Sequence, residues 1–265
     1  MQIAELRTTI ESLLDTNAGK PVVVFAALWP FLRALDIPQK DVAPVLLQML
    51  QDVAGPERNL LMPTFTRGYQ DGICNLDEEP ASTGLLAESF RRLPNCERNL
   101  TAFFSYGILG PDCEEFADLM PEHAWGDGSA YDWMEKKNAS FLMLGTHPTN
   151  CSYLHRMEWL ARIKYRYVKP FTGKIIRRNR EHEMTEKLFV RILTPPAIND
   201  FTRIYDDLTK NGMETVKLDG IHLAHMTATK MKAAFLPLLL KDPLISVENR
   251  QDFERNDVSY DCANN

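Results

Sequence analysis

Reactive side chains are concentrated in the stretch LMLGTHPTNCSYLHRMEWL, which runs from Leu142 to Leu160 and begins inside an apolar run. Two histidines, a cysteine, a serine and a glutamate follow that run, namely His147, Cys151, Ser152, His155 and Glu158. If the chain is helical from Cys151, then Cys151, His155 and Glu158 project from one face of the helix. Such a face predicts a metal site, a nucleophile with its base, or a general base beside a bound substrate.

Two of these interpretations have defined residue sets. The ligands of a zinc site would be His147, Cys151, His155 and Glu158. Their spacing matches no common zinc pattern, and the chain offers no second pair of ligands. A thiol mechanism would place Cys151 at a helix N-terminus, which lowers a thiol pKa, with His155 as its base. If the stretch has no chemical role, His155 and Glu158 form a surface pair and Cys151 fills the core.

Composition limits the class of protein. The 265 residues are 45% hydrophobic and 25% charged, which is typical of a globular domain with a sizeable core. A net charge of −6 argues against nucleic acid as the main partner. We expect neither a signal peptide nor a membrane span, because no apolar run approaches about 20 residues. Five irregularly spaced cysteines predict free thiols and a cytoplasmic location.

Strand and helix signals alternate along the chain. Buried strands are predicted at 20–29, 59–65 and 139–146. Helices are predicted at 2–16, 43–54, 82–94, 110–120, 128–138, 151–163, 199–212 and 228–243. The segment 175–193 is ambiguous, and the chain from residue 246 is expected to be a polar tail. The pattern predicts one α/β domain over residues 1–265, layered as helix–sheet–helix around a mixed, largely buried sheet.

Six pieces of the chain occur in an informative order. They are LMPTFT (61–66), STGLLAESFRRLP (82–94), ERNLTAFFSYGILGPDCEEF (97–116), GDGSAYDWMEKKNASFLMLG (126–145), the His-x-x-Glu at 155–158, and NDF (199–201). Together they resemble the aminoglycoside 3-N-acetyltransferase family, also called antibiotic N-acetyltransferases, and the resemblance covers about residues 20–235. The resemblance implies that family's α/β fold, an acyl-CoA donor, and transfer of the acyl group to an amine on a sugar.

The chain departs from the family pattern at several polar positions. Phe25 and Ala27 stand where the family usually has a histidine and a serine, and Thr101-Ala102 replaces a His-Pro pair. The resemblance places these positions near the substrate or coenzyme A. The scaffold and the base are therefore expected to be kept, while the acceptor, the acyl group or both are expected to differ.

His155 is the predicted general base, because an amine must lose a proton before or while it attacks a thioester. Glu158, one turn along, would orient His155 and stabilise its imidazolium. His147 is the rival base, and it could instead be a loop histidine before Pro148.

The tetrahedral intermediate carries an oxyanion that needs hydrogen-bond donors. Candidates are backbone N–H groups and the hydroxyls of Thr64, Thr66 and Ser152. Thr64 and Thr66 could equally belong to a turn. Glu88 is a candidate substrate contact, with a simple ion pair to Arg91 as the alternative.

Coenzyme A carries phosphates, which call for cations or helix N-termini. A basic run follows the opening stretch: Arg162, Lys164, Arg166, Lys169, Lys174, Arg177, Arg178 and Arg180. It could bind coenzyme A, bind an anionic acceptor, or be a solvated face. We predict that the cofactor is bound by Arg98, Ser105, Arg162, Arg166, Arg177 and Arg178. The first two of these come from the resemblance.

The predicted function is acyl transfer from acyl-CoA to the amine of an amino sugar. A nucleotide-linked amino sugar is preferred, because its pyrophosphate suits the basic run whereas a polycationic aminoglycoside does not. Aminoglycoside 3-N-acetylation, an inactive binding relative, and a Cys151-dependent acyltransferase or hydrolase remain as alternatives. A homodimer is left open, and no metal is predicted.

Overall fold

The computed structural model of this chain describes residues 1–15 and 18–254. Its strands are β1 (Val22–Ala26), β2 (Leu60–Pro63), β3 (Ile73–Asn75), β4 (Glu97–Arg98), β5 (Tyr106–Leu109), β6 (Ser140–Leu144), β7 (Arg166–Arg177), β8 (Arg180–Arg191), β9 (Glu214–Leu218) and β10 (Ile221–Thr227). Its α-helices are α1 (Ile3–Asp15), α2 (Phe31–Ala34), α3 (Gln39–Ala54), α4 (Leu85–Arg91), α5 (Cys113–Ala117), α6 (Ala130–Lys136), α7 (Leu154–Ala161), α8 (Tyr205–Lys210), α9 (Ala228–Lys241) and α10 (Gln251–Glu254).

A seven-stranded mixed sheet forms the centre, in the order β4-β5-β2-β1-β6-β10-β9. The apolar runs of β1 and β6 pair in parallel, with Val22 opposite Ser140 and Ala26 opposite Leu144. β2 is also parallel to β1, whereas β5 and β10 run antiparallel to their neighbours. β6 is buried along its whole length, as expected for a strand covered on both faces.

Helices cover both faces of this sheet. On one face, α1 and α3 pack against Val24, Leu142 and Leu144. On the other, α6, α7 and α9 pack against Phe141 and Met143. Successive side chains of β6 therefore pack into two separate hydrophobic cores, one on each face of the sheet. This arrangement confirms the predicted layered α/β fold with a mixed sheet.

The ambiguous segment 175–193 lies mainly in a long β-hairpin, formed by β7 and β8 paired over their full lengths. Arg178 and Asn179 form its two-residue turn with φ of 53° and 56°. Both values lie in the left-handed region that a type I′ turn requires, and asparagine tolerates it well. β3 adds to β7 in parallel and completes a second, three-stranded sheet.

Two predicted segments differ from the structure. Residues 199–212 form a single-turn 3-10 helix (Phe201–Ile204) followed by α8, and Asp200 rather than Asn199 caps the 3-10 turn. The predicted polar tail is wrong for residues 246–254, because Ser246 and Val247 are fully buried and α10 follows them. The rest of that tail, and the predicted end of the first helix at residue 16, lie outside the described residues.

The parallel strands bring three loops to one edge of the sheet. β1 continues to β2 on one side and is flanked by β6 on the other, so the strand order reverses at β1. Ligands in open α/β sheets bind outside the carboxyl ends of strands at such a point. The chain leaves this edge after residues 26, 63 and 144, and α7 follows the last of these. No α-helix within the described residues is long and apolar enough to cross a membrane.

Candidate active site

His155 and Glu158 lie one turn apart on α7, and their side chains are in direct contact. His155 Nδ1 is 2.6 Å from Glu158 Oε2. The glutamate side chain is completely buried, whereas a quarter of the histidine side chain, 25%, is exposed. The histidine therefore lies at the surface of the site, and its carboxylate partner is buried behind it.

Three further side chains hold the Glu158 carboxylate. Tyr165 Oη donates to Oε1 at 2.6 Å, Asn199 Nδ2 donates to Oε1 at 2.7 Å, and Arg166 Nε is 2.9 Å from Oε2. Burial by itself would raise the pKa of Glu158, but His155, Arg166 and the hydrogen bonds outweigh burial and lower it. The carboxylate is therefore ionised at neutral pH.

The short contact to Glu158 fixes the tautomer of His155. Nδ1 has two polar neighbours, Glu158 Oε2 at 2.6 Å and Arg166 Nη2 at 3.1 Å. The carboxylate oxygen can only accept, and its contact is the shorter, so we place the hydrogen on Nδ1 and the free lone pair on Nε2. Nε2 makes no hydrogen bond to any described residue. Burial and the charge of Arg166 lower the pKa of His155, although Glu158 opposes them. His155 is thus a neutral imidazole with an available basic nitrogen, and its ring lies against Trp125 and Phe201 at 6.0 and 5.2 Å.

Ser152 lies one turn before His155 and is surrounded by tyrosine hydroxyls. Its Oγ is 2.9 Å from Tyr106 Oη and 3.1 Å from Tyr131 Oη. The first tyrosine is on β5 and the second is on α6, so the serine is held between the sheet and a helix. The Ser152 hydroxyl and the basic imidazole of His155 therefore belong to residues three apart in one segment, and acyl transfer uses a hydrogen-bond donor and a base.

Comparison with known proteins identifies the family. A family model described as aminoglycoside 3-N-acetyltransferase matches residues 33–237. The chain belongs to this family. It is therefore a CoA-dependent N-acetyltransferase, and acetyl-CoA is its donor. No curated protein sequence is significantly similar to the chain.

Several solved structures have the same fold. The structure titled "AAC-IIIb binary with CoASH" has a TM-score of 0.72 at 20% identity, covering 89% of this chain and 96% of that one. Sisomicin-bound AAC-VIa has a TM-score of 0.72 at 18% identity, covering 89% and 97%. The YokD protein from Bacillus subtilis has a TM-score of 0.70 at 16% identity, covering 89% and 94%. At these identities, the likeness shows the fold alone.

The two threonines predicted as oxyanion donors are turned into the protein. Thr64 Oγ1 donates to the carbonyl of Ser105 at 3.2 Å, and Thr66 Oγ1 donates to the carbonyl of Ala102. Thr66 Oγ1 also accepts from the backbone N–H of Gly68 at 2.9 Å. Both side chains are buried, so their hydroxyl hydrogens are used to shape the loop after β2.

Glu88 lies in a clamp on α4 and not beside His155. It accepts from the Ala81 N–H at 2.7 Å and pairs with Arg91 at 2.6 Å and Arg92 at 2.7 Å. Burial opposes ionisation, but the hydrogen bonds from Arg91 and Ala81 overcome it and lower the pKa of Glu88 to about 2. The Arg91 guanidinium also donates to the carbonyls of Asp77 and Glu78. The clamp therefore fastens the loop before α4.

His147, the rival base, is exposed on the loop after β6. Its Nδ1 is 2.6 Å from Thr149 Oγ1 and accepts weakly from the Thr149 N–H at 3.4 Å. Its ring lies 5.3 Å from that of Tyr205. His147 has no carboxylate partner among the described residues, so nothing in its surroundings orients it as Glu158 orients His155.

The structure does not bring the six predicted cofactor residues together. Arg98 is buried and donates to the Leu76 and Glu79 carbonyls and to Ser105 Oγ, and that serine donates to the Thr64 carbonyl. Arg177 is buried against the Ala117 carbonyl and Asp118, and Arg178 pairs with Glu97 at 2.7 Å. Arg166 belongs to the His155 cluster. Only Arg162 is exposed and without an ion pair among the described residues.

Cys151 does not have the surroundings of a nucleophile. Its side chain is 1% exposed within the core, and burial raises its pKa to about 12. A thiolate is therefore strongly disfavoured at neutral pH. Among residues 1–15 and 18–254, no group of three or more His, Cys, Asp or Glu side chains is placed to hold a metal ion. The geometry thus favours a general base over the two other interpretations of this stretch.

Several members of the site were not predicted from sequence. Tyr165 and Asn199 bind the Glu158 carboxylate, and Ser246 Oγ is 3.1 Å from Tyr165 Oη. The Trp125 ring packs edge-on against the His155 ring. Asn199 had a signal, since it begins the NDF piece, but its place at the start of the helix predicted at 199–212 pointed to a capping role. Nothing in the sequence near residues 165 or 246 indicated a place in the site.

Proposed function

We propose that this acetyltransferase moves the acetyl group of acetyl-CoA to the amine of an amino sugar, with His155 as general base. The observation that carries the proposal is the pairing of His155 Nδ1 with the buried Glu158 carboxylate, which leaves Nε2 without a partner among the described residues on a side chain that is one quarter exposed. A neutral imidazole with a pKa below its usual value is ready to accept a proton at neutral pH.

The reaction needs one proton to be carried from the amine to the leaving sulfur. His155 Nε2 takes a proton as the amine nitrogen attacks the thioester carbonyl and a C–N bond forms. The Glu158 carboxylate stabilises the imidazolium during that step. The C–S bond then breaks, and the imidazolium returns the proton to the departing thiolate. The products are an N-acetyl sugar and free CoA thiol, and no enzyme nucleophile is required.

The oxyanion of the tetrahedral intermediate requires donors close to His155. The hydroxyls of Thr64 and Thr66 donate to carbonyls within the protein, so we do not assign them to this task. Ser152 is one turn from His155, and its side chain is half-buried. We assign it as the side-chain donor to the oxyanion, together with backbone N–H groups of the 145–153 loop.

For the donor, we propose a site at the carboxyl edge of β1 and β6. Arg33 lies just beyond β1, and its guanidinium is 5.4 Å from the ring centre of the exposed Trp29, with no ion pair to any described residue. An available cation there fits the phosphates of coenzyme A. We propose that Arg98 and Ser105 support the loops at this edge of the sheet, because their polar atoms bind the Thr64 carbonyl and other backbone groups.

For the acceptor, we propose the cleft beside α7. It has a volume of about 660 Å³ and its lining includes Trp159, Arg162, Glu122 and Asp127. His155 and Trp159 are four residues apart on α7 and so lie on one face of the helix, and Arg162 is the left-handed residue that ends it. Glu122 is paired with Lys187, and Asp127 is 3.7 Å from Arg156. Arg162 is the remaining cation, so a nucleotide-linked acceptor now depends on this arginine and not on the whole basic run.

Release of CoA thiol from acetyl-CoA tests the proposal. The purified protein should release thiol with amino sugars and not without an amine. The panel should contain aminoglycosides, free amino sugars, amino sugar phosphates and nucleotide-linked amino sugars. An aminoglycoside acceptor is the second candidate, and family membership favours it. Absence of thiol release with every amine, from protein shown by calorimetry to bind acetyl-CoA, would contradict the proposed function.

A further inference from the structure

We propose that a small internal cavity between β8 and the loop that joins β4 to β5 is a binding site for one water molecule. Three buried side chains give the cavity its polar groups, namely Asn99 and Thr101 from the loop and Glu186 from β8. None of the three has a role in the proposed reaction. The water site is therefore a separate feature of the molecule, and its test does not depend on the proposed function.

Two of these side chains have a polar atom without a hydrogen-bond partner. Asn99 is 0% exposed and Thr101 is 7% exposed, and neither Asn99 Nδ2 nor Thr101 Oγ1 is bonded to any described residue. Rotation of the Asn99 amide by half a turn gives no relief, because its Oδ1 already accepts from the Tyr106 N–H at 2.6 Å. A buried polar atom without a partner is strongly unfavourable, so both atoms require a ligand.

Glu186 supplies an acceptor to the same cavity. Its side chain is 4% exposed, and the backbone N–H groups of Ala102 and Phe103 donate to its carboxyl group. Burial raises the pKa of Glu186 to about 7, although these two N–H groups lower it. No cation among the described residues pairs with this carboxyl group. Its two oxygens have about four lone-pair sites, so it can accept at least one further hydrogen bond.

The size and chemistry of the cavity select water as the ligand. The centre of a water molecule has about 10 Å³ in which to move, which is about the space that one water needs by this measure. A ligand here must accept from Asn99 Nδ2 and donate to Glu186, while Thr101 Oγ1 can do either. Water does both and makes the three hydrogen bonds usual for a buried water. A chloride ion can only accept, and an ammonium ion can only donate. The rest of the lining is mainly apolar: Phe104, Pro121, Ala124, Ala130 and Tyr131.

The water joins two parts of the fold beside the candidate active site. It connects β8 of the long hairpin with the loop before β5, and Phe104 belongs to that loop. The Phe104 ring centre is 4.6 Å from that of Trp125, and the Trp125 ring centre is 6.0 Å from that of His155. Loss of the water therefore loosens a loop that packs against the aromatic surroundings of His155.

Thr101→Val tests the site by the sign of its effect on stability. Valine has nearly the shape of threonine and lacks the hydroxyl. If Oγ1 binds a water, the change removes a hydrogen bond, and Tm should fall by about 2–4 °C. If Oγ1 has no partner, removal of an unpaired buried hydroxyl should leave Tm unchanged or raise it, and that result would overturn the proposal. Thr215→Val, exposed on β9, is the matched control and should leave Tm unchanged.

A high-resolution crystal structure of the unmodified protein gives a second readout that needs neither a variant nor turnover. A density peak within hydrogen-bond distance of Asn99 Nδ2, Thr101 Oγ1 and the Glu186 carboxyl group supports the proposal. Absence of a peak at that place contradicts it. A direct hydrogen bond between two of these side chains that closes the cavity also contradicts it.

Discussion

At the scale of single residues, the basicity of His155 depends on what surrounds it. Its Nδ1 hydrogen goes to a buried carboxylate, and its ring is held between two aromatic side chains. These contacts fix one tautomer and one orientation. The same imidazole on an exposed loop, as in His147, would have neither property.

Replacement of His155 by alanine should lower kcat by roughly 10²–10⁴-fold, with a smaller effect on KM. The deficit should shrink at high pH, where more of the amine is already deprotonated. Glu158→Gln should cost less, since the base itself remains. His147→Ala is the control, and steady-state thiol release is the measurement. If folded His155→Ala turns over normally while His147→Ala is inactive, the base has been assigned to the wrong histidine.

The pH profile of kcat reports the same group. Burial and Arg166 place the pKa of His155 below the ordinary value of 6.5, and the protonated form cannot accept the amine proton. We therefore expect kcat to fall on the acid side, with the midpoint of that decline below pH 6.5. Tyr153→Phe, which removes a hydroxyl that binds Glu135, should leave this limb in place. An acid limb centred above pH 6.5 would show that another group is titrating.

The sequence indicated the base and its carboxylate partner, but not the other side chains that hold that carboxylate. His155 and Glu158 could be predicted because both lie on one helix and three residues apart. Tyr165, Asn199 and Ser246 reach the same carboxylate from distant parts of the chain, and no spacing rule connects them. Arg166 was predicted as a phosphate ligand, because its charge is visible in sequence and its buried partner is not.

At the scale of elements, the clamp around Glu88 fastens the loop before α4 through charge. With a pKa of about 2 against an ordinary value of 4.5, the ionised carboxylate stabilises the fold above pH 4.5, and the contribution disappears as the pH falls through about 2. Glu88→Gln should lower the free energy of unfolding at pH 7 by about 1–2 kcal/mol. Glu78→Gln, exposed in the same loop, is the control.

Thermal unfolding of both variants from pH 7 to pH 2 measures this effect. The difference in Tm between wild type and Glu88→Gln should narrow steadily below pH 4.5. A difference that is independent of pH would mean that packing and not charge holds the clamp.

Gly173 allows the β7–β8 hairpin to approach the loop before β3. A Cβ there would lie 2.4 Å from the Tyr69 ring and 2.6 Å from the Gly72 carbonyl, and the carbonyl belongs to the backbone. Gly173→Ala should therefore lower the free energy of unfolding by about 1–3 kcal/mol, as overpacking does. Thr172→Ala, exposed on the same strand, should change it little. Urea unfolding of both variants checks this, and equal stability would show that the hairpin shifts freely.

Continuous apolar runs made β1, β2 and β6 predictable, because strands covered on both faces must be apolar throughout. The strands at the margins have weaker signals. β9 and β10 were missed although Asp219 and Gly220, with φ of 46° and 83°, form an Asp-Gly hairpin turn that sequence does indicate. β7 and β8 alternate buried and exposed residues among many charges, so their pattern resembled a helix as much as a strand.

At the scale of the whole molecule, four of the eight basic side chains in the run after α7 are neutralised within the fold. Arg166, Arg177 and Arg178 each pair with a carboxylate, and Lys174 pairs with Glu181. The number of basic residues in this run therefore overstated how strongly the folded protein would attract anions there. Arg162 is the cation that the folded protein leaves beside the cleft.

Arg162→Ala should raise the KM for an amino sugar that carries a phosphate or nucleotide by about tenfold, the worth of one charge-assisted hydrogen bond. KM for acetyl-CoA and for an uncharged amino sugar should not change. Lys164→Ala, also exposed and two residues away, is the control. If Arg162→Ala raises KM for acetyl-CoA instead, the arginine belongs to the donor site.

The partners of Glu158 come from three separate stretches of chain, and Ser246 beyond them supports Tyr165. The base is therefore complete only when the sheet, the hairpin and the last described residues have all docked. Recovery of activity therefore reports a late step of folding. After dilution from denaturant, thiol release should return later than secondary structure. The delay measures when the chain near residue 246 packs into place, a step that changes the circular dichroism signal very little.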